Sequence, residues 1–222
     1  YADAQRTFDT WRADHPGIER LAVFTPDGER PCCWAYGLSA TAPRTLLVIT
    51  AGLASVKEQW AAMLLLANQL DMAVLVTELP GVGENRLRYD RDAWRMFTAI
   101  LDTAAECAKA DRTYLVGDGL AGHLALRFAA QDRRVRGVIC HASPLREFFT
   151  DPAWLPTLPR VAADTLAHLL GRPSAELSTY LRDWALTDSE LSMVDAPIGY
   201  LSSSRDQLTP PGEPRVLRTR VR

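Results

Sequence analysis

Thr113-Tyr-Leu-Val-Gly-Asp-Gly-Leu-Ala-Gly-His-Leu-Ala-Leu-Arg-Phe-Ala-Ala130 is the stretch on which the fold turns. A short β-branched and aromatic run, Thr113 to Val116, meets a turn of small residues and then apolar residues at helical spacing. That is the strand–turn–helix layout of the G-x-S-x-G elbow, in which a sharp turn presents a serine nucleophile. On that pattern Gly117 takes the first glycine, Gly119 stands at the nucleophile position and Ala121 takes the last glycine. Glycine has no side chain with which to attack a carbonyl, so the turn is present and the expected serine is missing. A plainer reading stays open, because glycine-rich strand-to-helix turns occur throughout alternating α/β chains. The small residues Gly117, Ala121 and Gly122 suit the close strand–helix approach of an elbow.

On either side of this turn, strand and helix signals alternate. Thr45 to Thr50 is a continuous apolar run between Pro43 and Gly52, the mark of a strand buried on both faces. Met72 to Thr77, Val135 to Cys140 and Ile198 to Ser202 read as further strands. Helical spacing predicts helices over about 4–15, 57–70, 91–110 and from the elbow to about Ala130. Leu21 to Phe24 and Cys32 to Tyr36 flank Pro26-Asp27-Gly28 and predict an antiparallel hairpin. The fold class expected is α/β, with a doubly wound, mainly parallel sheet and right-handed crossovers. Between Ser143 and about Ser192 the pattern is helical, punctuated by Pro144, Pro152, Pro156, Pro159 and Pro173. That is longer than a crossover needs, so it predicts a small helical cap over the carboxyl edge of the sheet. The expected organisation is a core in 1–142, the cap in 143–192 and a continuation of the core in 193–222.

Composition bounds the function. The 222 residues are 47% apolar and 23% charged, as in a soluble globular domain with a sizeable core. A formal net charge of −2 argues against nucleic acid or an anionic membrane as partner, and no apolar run approaches the roughly 18 residues of a membrane span. Nothing N-terminal resembles a signal peptide, although the chain starts at Tyr1 rather than Met, so an upstream segment can be absent. Cys32, Cys33, Cys107 and Cys140 show neither CxxC spacing nor a nearby histidine, which predicts buried free thiols in a reducing cytoplasm and no metal site. No cofactor is implied: Gly81-Val-Gly83 is too short for a dinucleotide fingerprint and there is no Walker A sequence. The expected partner is a small molecule, with the oligomeric state open.

Four blocks in order resemble the FrsA-like branch of the α/β-hydrolases, which is related to polyketide-trimming hydrolases. They are Val48 to Trp60, Val76 to Gly83, Val116 to Gly122 and Gly137 to Phe149, and the resemblance covers roughly residues 1–210. It implies an α/β-hydrolase-type sheet with the site at the carboxyl ends of the strands, under the cap. It places an oxyanion loop at Thr50 to Leu53, with backbone N–H donors at Gly52 and Leu53 and another at Leu120, just after the nucleophile position. It places an acidic residue at Glu78, as a base of raised pKa in an apolar crevice or as a carboxylate held by the amides of the following glycine turn. Asp206 matches the triad acid. After it the resemblance implies a helix, a last strand and a histidine loop, whereas Leu208 to Arg222 contain no histidine, so a C-terminal part is expected to be missing. In this branch the elbow serine is itself variable.

Other residues are weighed by position. Asp118 serves as a nucleophile only if the elbow is shifted by one residue, which spoils Gly122. His123 on the first turn of the elbow helix and His141 at the end of a strand are candidate substrate contacts; His15 and His168 read as structural or surface residues. Trp154 and Trp184 in the cap, with Phe148, Phe149 and Leu155, suggest an apolar or aromatic ligand, though a cap needs such residues for its own packing. Three functions follow: a hydrolase-fold enzyme acting on an acyl, ester or β-diketone metabolite such as a polyketide; a lyase or cyclase working through Glu78; or a non-catalytic pseudo-hydrolase that binds or regulates.

Overall fold

The computed structural model describes residues 1–25 and 32–218. Its first half runs α1 (Ala2–Ala13), β1 (Ile18–Ala22), β2 (Cys32–Tyr36), β3 (Thr45–Thr50), a 3₁₀ helix (Lys57–Leu65), α2 (Leu66–Leu70) and β4 (Met72–Thr77). Then come α3 (Met96–Ala104), β5 (Lys109–Asp118), α4 (Leu120–Ala129) and β6 (Val135–His141). The stretch between β6 and the next strand holds α5 (Glu147–Thr150), α6 (Arg160–Leu170), α7 (Leu177–Leu181) and α8 (Asp188–Ser192). β7 (Ile198–Leu201) and α9 (Glu213–Arg218) follow.

The strands form one seven-stranded sheet among the described residues, in the order β1-β2-β4-β3-β5-β6-β7. β4, β3, β5, β6 and β7 are parallel neighbours, and β1 and β2 add to the β4 edge in antiparallel fashion. This is the mainly parallel α/β sheet expected. Why β3 and β4 read as unbroken apolar runs is visible in their packing. Leu46, Val48, Ala73 and Leu75 enter the larger core with α3 and α4, while Leu47, Ile49, Val74 and Val76 enter a second core with Phe8, Trp34, Ala61, Leu64 and Ala67. Alternate side chains along a strand point to opposite faces, so a strand covered on both sides has no polar positions to spare.

Two expectations need correction. The helix expected over 91–110 is a 3₁₀ turn at Ala93–Arg95 followed by α3, which stops at Ala104. The chain then turns, and Lys109 starts β5 early because its N–H donates to Arg44 O at 2.7 Å at the head of β3. The 57–70 segment begins as a 3₁₀ helix rather than an α-helix. On β5, β6 and β7 the face away from α4 leaves Tyr114, Ile139 and Leu201 exposed among the described residues. The turn Pro26-Asp27-Gly28 lies outside the described residues, but the two strands it was expected to join do pair antiparallel, Leu21 opposite Cys33.

Candidate active site

β5 passes into α4 through Gly119, whose φ of 55° and ψ of −125° lie where L side chains are strained and glycine is free. A Cβ at this position would have no heavy atom within 4 Å beyond its chain neighbours. The turn is kept tight by the glycines around it. A Cβ on Gly117 would run into the backbone of Ala121 and Gly122, and one on Gly122 into Ser143 Oγ and, at 3.1 Å, Gly117 O. Ser143 was not singled out by the sequence, yet its hydroxyl, bonded to His141 O at 3.1 Å, packs β6 against the elbow. Ala142, between them, takes a positive φ of 45° and also faces the site.

The elbow opens into a cavity of about 180 Å³. Its floor is Leu53, Asp118, Gly119 and Leu120; Phe148, Leu158, Ala162 and Leu166 reach it from the β6–β7 helical segment, and Asp206, Leu208 and Thr209 close one side. Among the described residues neither the Leu53 nor the Leu120 N–H donates to a protein acceptor, so two amides of cavity residues are free beside Gly119. Gly52 differs from the expected donor set: its N–H is committed to Ser55 Oγ at 3.1 Å. Asp206 Oδ1 accepts from Leu208 N at 2.8 Å and Thr209 N at 3.2 Å, which fixes the carboxylate in the cavity wall.

Glu78 lies elsewhere. It is fully buried, outside the cavity lining, and its carboxylate accepts from Lys57 N at 3.2 Å, Lys57 Nζ at 3.0 Å and Glu84 N at 2.7 Å. Burial raises the Glu78 carboxyl above its ordinary range, and Lys57 opposes that rise. Lys57 itself is completely buried, with Glu58 Oε1 at 2.9 Å and Glu84 Oε2 at 3.1 Å as well. Burial alone would pull the ammonium down; the surrounding carboxylates and the Tyr1 hydroxyl overcome it and hold Lys57 cationic. One of the three donors, Glu84 N, belongs to the turn that follows Glu78; the other two come from a lysine 21 residues upstream that the sequence did not single out.

The aromatic and histidine candidates also separate. His123 is fully buried; its Nε2–H donates to Trp184 O at 2.8 Å, its ring packs on Phe149, and burial pulls its pKa down to about 3. Trp184 is buried against Tyr89 and Tyr180. Trp154 donates its indole N–H to Leu208 O at 3.3 Å. None of these three residues lines the cavity, so the structure gives them a packing position between the core and the helical segment. His141 is half-exposed and binds Asp118, Nδ1 to Oδ1, at 2.7 Å. Strand register explains the pair, since Asp118 and His141 are directly opposed on β5 and β6. Among the described residues no cluster of His, Cys, Asp and Glu is arranged to hold a metal, and no helix is long and apolar enough to cross a membrane. The four cysteines are free, and burial pushes the Cys32 thiol up to about 11 and those of Cys33 and Cys140 to about 12, which keeps them protonated.

A parallel sheet whose central strand ends in a positive-φ elbow under a helical segment defines the α/β-hydrolase fold. Within it, residues 12–216 match the FrsA-like family, Esterase FrsA-like, and the chain belongs to that family. Among curated proteins it is 26% identical over 177 residues to Esterase FrsA of Vibrio cholerae serotype O1, covering 76% of this chain and 42% of that one. Among solved structures it is similar to AbyA5, with 46% identity, a TM-score of 0.92, and 97% of this chain against 61% of that one covered. A 2,6-dihydroxy-pseudo-oxynicotine hydrolase shares the fold, with a TM-score of 0.79 at 20% identity over 94% of this chain and 59% of that one. The chain thus spans less than half the length of the Esterase FrsA it matches and about three fifths of AbyA5.

Proposed function

We propose that this chain forms the substrate-binding and oxyanion-stabilising part of a hydrolase that cleaves an acyl, ester or β-diketone bond in a small apolar metabolite, without a covalent acyl-enzyme. The observation that carries this reading is the elbow. Gly119 holds the backbone geometry of a nucleophile turn and opens into an apolar cavity, while the Leu53 and Leu120 amides stand free beside it. Backbone N–H groups aimed at a developing oxyanion are worth roughly 3–4 kcal/mol each in acyl transfer, and they survive the loss of the serine. The helical segment 143–192 acts as the cap that supplies the apolar wall. A polyketide or similar secondary metabolite suits such a wall, and the free thiols suit a reducing cytoplasm.

The lyase reading through Glu78 has less support, because that carboxylate is outside the cavity and bound by three donors. The test is made on the complete protein with p-nitrophenyl butyrate and a fluorophosphonate probe. Expected are steady release of p-nitrophenol without an initial burst, no acyl adduct in intact mass, and no fluorophosphonate labelling of the elbow. A stable acyl adduct on this chain would overturn the non-covalent reading; binding of short esters with no turnover would favour the pseudo-hydrolase.

A further inference from the structure

If the site hydrolyses a carbonyl substrate without a serine, some group must take a proton from water, and the cavity narrows the choice. Among its lining side chains Asp118 and Asp206 are the ones that can act as a base. The hydroxyls are occupied: Ser55 Oγ accepts from Gly52 N and from Trp60 Nε1, and Thr209 Oγ donates to Ala142 O at 2.7 Å. Asp206 has one oxygen tied to two amides of its own turn. Asp118 is different. It is the last residue of β5, immediately before Gly119, and its carboxylate is about a quarter exposed, toward the cavity. Oδ1 accepts from His141 Nδ1 at 2.7 Å, and Oδ2 lies against Gly52, where a Cβ would collide with it. That places the carboxylate between the loop carrying the Leu53 amide and the elbow carrying the Leu120 amide.

Resting on the hydrolytic reading above, we propose that Asp118 is the general base that activates water over Gly119, and that His141 is a positioning residue that holds it. A water in the open space at Gly119 gives one proton to Asp118 Oδ2, and its oxygen forms the new bond to the carbonyl carbon. The carbonyl π pair moves onto oxygen, where the Leu53 and Leu120 N–H groups receive it. The oxyanion re-forms the carbonyl as the bond to the leaving alkoxide breaks, and Asp118 returns its proton to that alkoxide. Ester and water become acid and alcohol, and Asp118 ends as it began. The absence of a Cβ at 119 becomes functional in this scheme, because the space a serine side chain would fill is where the water stands. The His141 Nδ1–H fixes one carboxylate oxygen so that the other faces the water, the role an orienting partner plays beside a catalytic base.

The experiment uses the complete protein and p-nitrophenyl butyrate. Asp118→Asn is expected to lower kcat by about 100-fold with KM within about twofold, the size general-base loss takes. His141→Ala should lower kcat about tenfold at unchanged KM, and His141→Asn, whose side-chain amide can donate from nearly the same place as Nδ1, should recover most of it. A His141 that merely packs β6 would change stability without this rescue. Turnover in ¹⁸O-water with enzyme in excess should put the label in butyrate and leave the Asp118 peptide unlabelled. Label found in Asp118 would make it a nucleophile and overturn the base role. Full turnover in Asp118→Asn would overturn this inference while leaving the hydrolytic reading intact, whereas an unmodified protein that hydrolyses nothing brings down both.

Discussion

At the scale of single residues, three glycines within six positions do different jobs, and this can be measured. Gly119 is there for its dihedral angles, with free space around its Cα; Gly117 is there because strand and helix touch. Gly119→Ala should therefore cost about 1–3 kcal/mol of unfolding free energy, the strain of a non-glycine residue in that region. Gly117→Ala must push α4 off β5 against its own backbone and should cost clearly more, at least about 3 kcal/mol. Urea denaturation of the two variants separates the cases, and equal losses would mean the elbow geometry is wrong. Both glycines were visible in the sequence as part of a strand–turn–helix pattern, although such a pattern alone does not separate an elbow from the common glycine-rich turns of α/β chains. The Asp118–His141 pair was not. In the sequence Asp118 sits in the turn beyond the expected strand Thr113 to Val116 and His141 at the end of another strand, and only the register of β5 against β6 puts them 2.7 Å apart.

Among the elements, legibility followed burial. β3 and β4 are covered on both faces, so their whole sequence is apolar and their limits could be read to the residue. The helix expected over 91–110 ran too far because alanine-rich residues 104–110 continue a helical pattern, while in the structure the chain turns after Ala104 and Lys109 bonds to Arg44, remote in sequence. The surroundings of Glu78 were hidden for the same reason: its main partner, Lys57, lies on a different element. The Lys57 cluster ties the 3₁₀ helix to the loop after β4, and α1 is linked to that loop through Gln5 and Glu84 at 2.7 Å. Removing the cation from a buried cluster leaves uncompensated carboxylates, so Lys57→Met is expected to lose about 3–5 kcal/mol of stability. Glu78→Gln should lower the melting temperature yet keep the ester turnover of the folded protein at unchanged KM. A fall in kcat without loss of stability would return Glu78 to the chemistry.

At the scale of the whole molecule, a buried polar group of contacts fastens the second half of the 145–192 segment to α4, as buried Glu213 of α9 does its start through the amides of Arg146 and Phe148. Arg127 on α4 donates to Trp184 O at 2.7 Å and pairs with Glu190 at 2.8 Å, and His123, one turn earlier, donates to the same Trp184 carbonyl. Glu190 also closes a capping box with Thr187 at the start of α8, so the fastening fixes a helix end as well. His123 Nδ1 has no partner among the described residues, and its charged neighbours are Arg127 and Arg91, with Glu190 beyond them. Burial, then these cations, lower its pKa from an ordinary 6.5 to about 3. The sign follows from linkage. Unfolded His123 takes up a proton as pH falls through about 6.5 while folded His123 stays neutral, so its contribution to stability is present above that pH. It is lost between about 6.5 and 3, at up to about 1.4 kcal/mol per pH unit. Urea unfolding at pH 7, 5.5 and 4.5 should show this loss. His123→Asn cannot protonate, so although less stable at pH 7 it should decline more gently by close to one proton's worth of slope. Equal slopes in the two proteins would mean that His123 is reached by solvent and that the helical segment sits more loosely on α4 than this group of contacts requires.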